Sequence, residues 1–389
     1  MEEQEKAVFV EQPKPIEQPS ETAVAQNPIK SRKLSYDVIR IVAVCMVLMV
    51  HVSGYMVLYH TDPTSREFVV GNIFNGISRA GVPLFLMLTG ALLLNEDKAF
   101  NPKTFYKTSF VWMALLLVGW TVAYGAFYAI AFPLLHHQAV DWSGVPLSMW
   151  NYAIRLPTMY PHLWYLFMVV GLYLMIPVLR LFVKRENKNY ILGIILAFVL
   201  VKLLPVTFAI FTRNSSTTLA MIVDKFHLEP VTGFLGYVLT GWYITNVKLI
   251  KPLRRTLYLL ALLAVITAIL TVQNNIQTDS AVRSWFYEPL TLPSFLYGLG
   301  LFVLLEDWCG KRQTKSRFVK MLSKNAFGVY IIHAFWMEML TMWVSYWDFK
   351  PQNPLLYMEL LFAACVVLCY VSVWVLSLIP GVKKIFYLK

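Results

Sequence analysis

Charge is what this sequence has least of. Only 14% of its 389 residues are charged, against 58% hydrophobic, where soluble domains carry about 25% charged residues. That shortage excludes an ordinary water-soluble domain. Acidic residues are the scarcer sign, 22 against 34 basic, for a net charge of +12. The basic residues fall in short clusters between apolar runs, so the excess marks membrane topology and no nucleic-acid partner is expected. Cysteine is limited to Cys45, Cys365 and Cys369 inside apolar runs and Cys309 in a basic loop. None lies in a loop read as external, which argues against a structural disulfide. Cys365 and Cys369, one helical turn apart, read as packing residues. There is no HExxH, Walker A loop, GxSxG or clustered Cys/His set, so the chemistries those motifs carry are not expected, and no metal is assigned. The adjacent His136 and His137 read as a solvated pair. With no internal repeat and no appended soluble catalytic domain, any chemistry must sit in the membrane bundle or its loops.

What the sequence has is apolar length. Ten runs approach the ~20 residues a spanning helix needs, at approximately 37–58, 70–94, 108–132, 162–182, 189–210, 229–247, 256–274, 287–305, 326–346 and 354–379. Lys202 and Pro205 interrupt the fifth; Pro289, Pro293, Gly298 and Gly300 loosen the eighth. Basic clusters alternate with the runs. Lys98, Lys103 and Lys107, then Lys184, Arg185 and Lys188, mark two of the even connections, and the later even ones and the C-terminus are as basic. The odd connections hold only Arg66, Arg155, Arg213, Lys225, Arg283 and Lys350. The expected fold is an all-α polytopic membrane protein, a bundle of about ten transmembrane helices with both termini cytoplasmic, in the plasma or inner membrane. Residues 1–29, rich in Glu, Gln and Pro, are expected to be a disordered cytoplasmic tail, and 30–389 the membrane domain. No small-residue cleavage site follows the first run, so it is read as retained. The longest external connection, about 133–161, is long enough for a lid or a re-entrant segment.

Polar residues inside the runs are costly and by default functional. In DVIRIVAVCMVLMVH, Arg40 and His51 stand eleven residues apart, about 16 Å and three turns, so they share a helical stripe. Arg79, in RAGVPLFLMLTGALLL, reaches the depth of His51 on the adjacent antiparallel run, pairing a cation with a candidate general base. The alternatives are a histidine that only bonds a neighbouring helix and an arginine that snorkels outward. His162, Trp164 and Tyr165 open the fourth run as an interfacial aromatic belt or as a surface on which a sugar stacks. His333, counted seven residues into the ninth run, is placed about 10 Å from the cytoplasmic face, on the level of Arg40. Glu338 and Glu359 are candidates for ion pairs with Arg79, Lys202 or a histidine.

These pieces, with HLWYLFMVVGLYLMIPVL and NAFGVYIIHAFW, occur in order over roughly 34–379 and together resemble the acyltransferase-3 family of integral-membrane O-acyltransferases. The resemblance implies a ten-helix domain that passes an acyl group, usually acetyl from acetyl-CoA, to an extracytoplasmic glycan or lipid-linked sugar. It makes His51 the essential histidine and Arg40 its partner in the first-helix motif. The family often carries two arginines at the start of the third helix; NPKTFYKTSFVW offers Lys103 and Lys107 instead, which lack the bidentate fork. No esterase-like C-terminal domain of the kind some members carry is present, so action alone or with a separate envelope-biosynthesis partner is expected.

On this reading Arg40, Lys103, Lys107 and His333 bind the acyl-CoA donor. His51 acts as general base or carries the acyl group covalently, Arg79 stabilises the oxyanion, and His162, Trp164 and Tyr165 touch the acceptor. No permanently bound cofactor is expected. The alternative is a transporter or flippase for a cell-envelope glycan precursor, since buried Arg, His and Glu also suit a proton-coupled path.

Overall fold

The computed structural model describes residues 32–59, 62–154, 161–212, 233–275, 287–346 and 353–379. The tail expected at 1–29 lies outside them, as do Arg155, Arg213, Lys225, Arg283 and Lys350 of the external connections. Among the described residues every extended element is helical. A chain this apolar has little alternative, because backbone groups facing lipid must bond within their own segment. We number the helices α1 (Leu34–Tyr59), α2 (Arg66–Leu93), α3 (Pro102–Leu135), α4 (Val145–Ile154), α5 (Trp164–Phe182), α6 (Arg185–Ile210), α7 (Leu235–Asn246), α8 (Lys251–Asn275), α9 (Leu292–Cys309), α10 (Arg317–Tyr346) and α11 (Pro354–Leu376).

Nine of these are long and apolar enough to cross a membrane. The sixth apolar run, expected at 229–247, contains α7, whose 12 described residues rise about 18 Å against a hydrocarbon core of about 30 Å. Two other helix starts differ most from the sequence reading. α3 begins at Pro102, capped by Asn101. α10 begins at Arg317, nine residues before the apolar run does. Its first turns are amphipathic, with Lys320 half-buried, Lys324 exposed and Ser323 and Asn325 buried, so a hydropathy count misses them. Within the connection expected to be external, α4 packs along α3 and leaves Leu147 and Trp150 exposed.

α1 is the central element. One face, with Ile39 and Ala43, joins a core shared with α2, α5, α6, α7 and α9. The other, with Val44, Leu48, Val52 and Met56, joins a second core with α3, α5, α10 and α11. Lipid-facing exposure falls on α3, α8 and α11, for example Val118, Leu262 and Val367. At its glycines α2 packs backbone to backbone against α7. A Cβ on Gly90 would overlap the Val238 carbonyl, and one on Gly241 the Met87 carbonyl. Contact of backbone with backbone is the packing that small residues allow in membranes.

Candidate active site

At one end of α1 a buried carboxylate organises the cations. Asp37 is 1% exposed and accepts from Thr314 Oγ1 and Ser323 Oγ, each at 2.6 Å, and from Arg32. Arg40 Nη1 donates to Ser323 Oγ at 2.9 Å and lies 3.7 Å from Asp37. A short backbone bridge, Leu34 N–H to Arg312 O and Thr314 N–H to Arg32 O at 2.9 Å each, holds the start of α1 against the loop before α10. Arg40 is thus fixed at the mouth of the bundle with part of its guanidinium accessible. Asp37→Ala leaves two arginines and two hydroxyls without their shared acceptor. It is expected to cost about 3 kcal/mol of stability, the scale for breaking a buried pair from one side. Thermal melting of the purified protein measures this.

About three turns further along α1, His51 meets His333 of α10, ring centroids 4.9 Å apart. His162, at the entry to α5, stands 5.1 Å from His333. The three histidines come from elements that only the tertiary fold brings together. His333 Nδ1 pairs with the Tyr330 carbonyl at 2.5 Å, one turn back on its own helix. That bond places the ring proton on Nδ1 and leaves Nε2 with its lone pair. Nε2 is buried and has no hydrogen-bond partner among the described residues. The His51 ring is half-buried. Tyr330 donates to the His162 carbonyl at 2.5 Å, and Tyr165 packs 5.3 Å from Tyr330 and 6.0 Å from Phe85. Among the described residues no three His, Cys, Asp or Glu side chains are grouped as a metal ion would need.

Arg79 lies one side chain away from the backbone of His51, because Asn75, which accepts from its guanidinium, donates to the Val50 carbonyl. It sits in a single 3-10 turn, Ser78–Ala80, four residues before Pro83, which can neither bond the Arg79 carbonyl nor fit beneath it in a regular helix. Its guanidinium donates to Asn75 Oδ1, with Nε at 2.9 Å, and to the Tyr287 carbonyl at 3.3 Å. The Tyr287 ring covers it at 4.7 Å. It does not reach outward as a snorkelling arginine would.

His51, Arg79, His162, Tyr165 and His333 are therefore brought together, with Arg40 at the far end of the same helix. His333 is the clear correction. Measured from the true start of α10 it stands sixteen residues in, about 24 Å, beside His51 and not beside Arg40. Trp164 packs on Phe234 at 5.5 Å and edge-on to Tyr165 at 6.2 Å. Lys103 and Lys107 are exposed, at the same end as Arg40. Glu338 and Glu359 form no ion pair with Arg79 or Lys202 among the described residues. The sequence reading passed over Asn75, Tyr287, Ser323 and Tyr330. Two had a local signal, since Asn75 is four residues before Arg79 and Tyr330 three before His333.

Long apolar helices around a buried histidine cluster define a polytopic membrane protein with a polar centre fit for group transfer. A family model described as an acyltransferase domain matches residues 33–374. The chain belongs to that acyltransferase-3 family and is a membrane acyltransferase. No curated protein and no solved structure matches it.

Proposed function

We propose that the protein is an O-acyltransferase that moves an acyl group, acetyl in the first instance, from acyl-CoA on the cytoplasmic side to a hydroxyl of an extracytoplasmic glycan or lipid-linked sugar. The observation that carries this is the His51–His333 pair, 4.9 Å apart, on a helix whose other end holds Arg40 against Ser323. The basic end supplies phosphate-binding charge for the donor: Arg40 with exposed Lys103 and Lys107. The positive-inside pattern supports placing that end, and both termini, in the cytoplasm.

Transfer balances simply. The acceptor hydroxyl gives its proton to the His51 imidazole as its oxygen attacks the thioester carbonyl. Arg79 stabilises the developing oxyanion. Collapse breaks the carbon–sulfur bond, the ester forms, and the thiolate of coenzyme A takes the proton. His333, its tautomer set by the Tyr330 carbonyl, orients His51. His162 and Tyr165 line the acceptor side.

Inverted membrane vesicles, which expose the cytoplasmic face, test both sidedness and reaction. With acetyl-CoA added outside, coenzyme A release and acetyl ester on luminal glycan are expected to rise together. With the donor sealed inside right-side-out vesicles, the same is expected only from the interior. Movement of glycan without any donor, and with no thiol release, would establish the transporter reading in its place.

A further inference from the structure

The amide of Asn75 is 1% exposed in the middle of an apolar bundle. Left unbonded there it would be costly, and packing alone would be served by a leucine of similar volume. Its bonds go in two directions. Oδ1 accepts from Arg79 Nε at 2.9 Å, and also from Nη2. Nδ2 donates to the Val50 carbonyl at 2.9 Å and to Ser53 Oγ at 3.0 Å. Ser53 Oγ donates onward to the Met49 carbonyl at 2.6 Å, so it is an acceptor toward Asn75. The amide cannot be reversed, because its oxygen would then face the Val50 oxygen and its NH2 the guanidinium.

Val50 is the residue whose carbonyl opens the peptide to His51. One side chain therefore ties the backbone carrying the candidate base to the guanidinium placed beside it. On the other side of Arg79, the Tyr287 hydroxyl bonds Asn72 Oδ1, and Asn72 Nδ2 bonds the Ile269 carbonyl and Gln273 Oε1 at 3.1 Å each. That second anchor runs to α8. Of the two, Asn75 is the one that reaches α1.

We propose that Asn75 is the positioning residue that keeps Arg79 in register with His51, an inference that rests on the acyl-transfer reading above. It touches neither donor nor acceptor; it acts through Arg79.

A double-mutant cycle tests this on the full chain in nanodiscs, using wild type, Asn75→Leu, Arg79→Ala and the double variant. Acetyl-CoA is the donor, a soluble N-acetylglucosamine oligomer the acceptor, and thiol release the readout. Asn75→Leu is expected to lower kcat by about 10²-fold, the scale of a small misplacement at a reacting centre, with the KM for acetyl-CoA unchanged. The double variant is expected to be no slower than Arg79→Ala, because the two residues act as one unit. Losses that multiply would overturn the proposal. Melting temperatures of the same four proteins form a second cycle that needs no substrate. Coupling there supports the Asn75–Arg79 linkage, and additivity there overturns it. Coupling in the melting cycle with no thiol release by wild type, either on this oligomer or on an envelope-glycan extract, would refute the acyl-transfer reading and leave the linkage standing. Asn75→Ser carries the same cycles if Asn75→Leu does not accumulate.

Discussion

His51→Ala is expected to lower acyl transfer by about 10²–10⁴-fold, the contribution of a positioned general base, while donor binding and folding persist. The expectation of intact folding comes from the contacts of the ring. Among the described residues it makes no hydrogen bond to protein, and it touches His333 only as one ring beside another. His333 is different, since its Nδ1 is committed to the Tyr330 carbonyl and it stands between His51 and His162. His333→Ala is therefore expected to cost less in rate than His51→Ala and more in stability. The measurements are thiol release from acetyl-CoA and mass spectrometry of envelope glycans in cells with matched protein levels. Transfer at the wild-type rate in His51→Ala would end the proposed mechanism.

A second large effect is structural. Gly241→Leu is expected to prevent the protein from accumulating, while Gly119→Leu leaves it unaffected. At Gly241 a new side chain meets the Met87 backbone, and the reciprocal contact of Gly90 on Val238 is also backbone. Neither can rotate away, so α2 and α7 must separate and the core they share with α9 opens. Overpacking costs about 1–3 kcal/mol where side chains can yield, and more where they cannot. A cost above about 3 kcal/mol is a large part of the roughly 5–15 kcal/mol that holds a typical protein folded. Gly119 has nothing within 4 Å of an added Cβ and faces outward on α3, so the same substitution there adds only apolar surface. Size-exclusion profiles of fluorescently tagged variants read the contrast. A monodisperse Gly241→Leu protein with unchanged melting would refute the close-packing argument.

Much of this was legible in the sequence because a bilayer imposes its own length and polarity on the chain. The long helices follow from runs and spacings alone. His333 was misplaced because residues 317–325 carry Arg317, Lys320 and Lys324 and so look like a loop, although they continue the helix through an amphipathic turn. Nine uncounted residues are about 14 Å of depth. His162 was recognised as polar at a helix entry, but its approach to His333 depends on how α5 and α10 pack, which no periodicity encodes. Asn75 went unremarked because a lone asparagine in an apolar run carries no charge to draw notice. Its meaning comes only with the partner helix that its amide reaches.

The clamp around Asp37 also has a temporal side. Arg40 leaves the ribosome early, yet its hydroxyl partner, Ser323, lies 283 residues later in the chain, and His333 follows Ser323. At about 5–20 residues per second of synthesis, the first helix waits roughly 15–60 s before α10 can arrive to satisfy it. Throughout that interval a helix bearing aspartate, arginine and histidine must be kept from lipid by the insertion machinery or by the helices already made. Assembly of the membrane domain is thus gated by its penultimate described helix, and truncations that end before Ser323 should be recognised by quality-control proteases as unfinished.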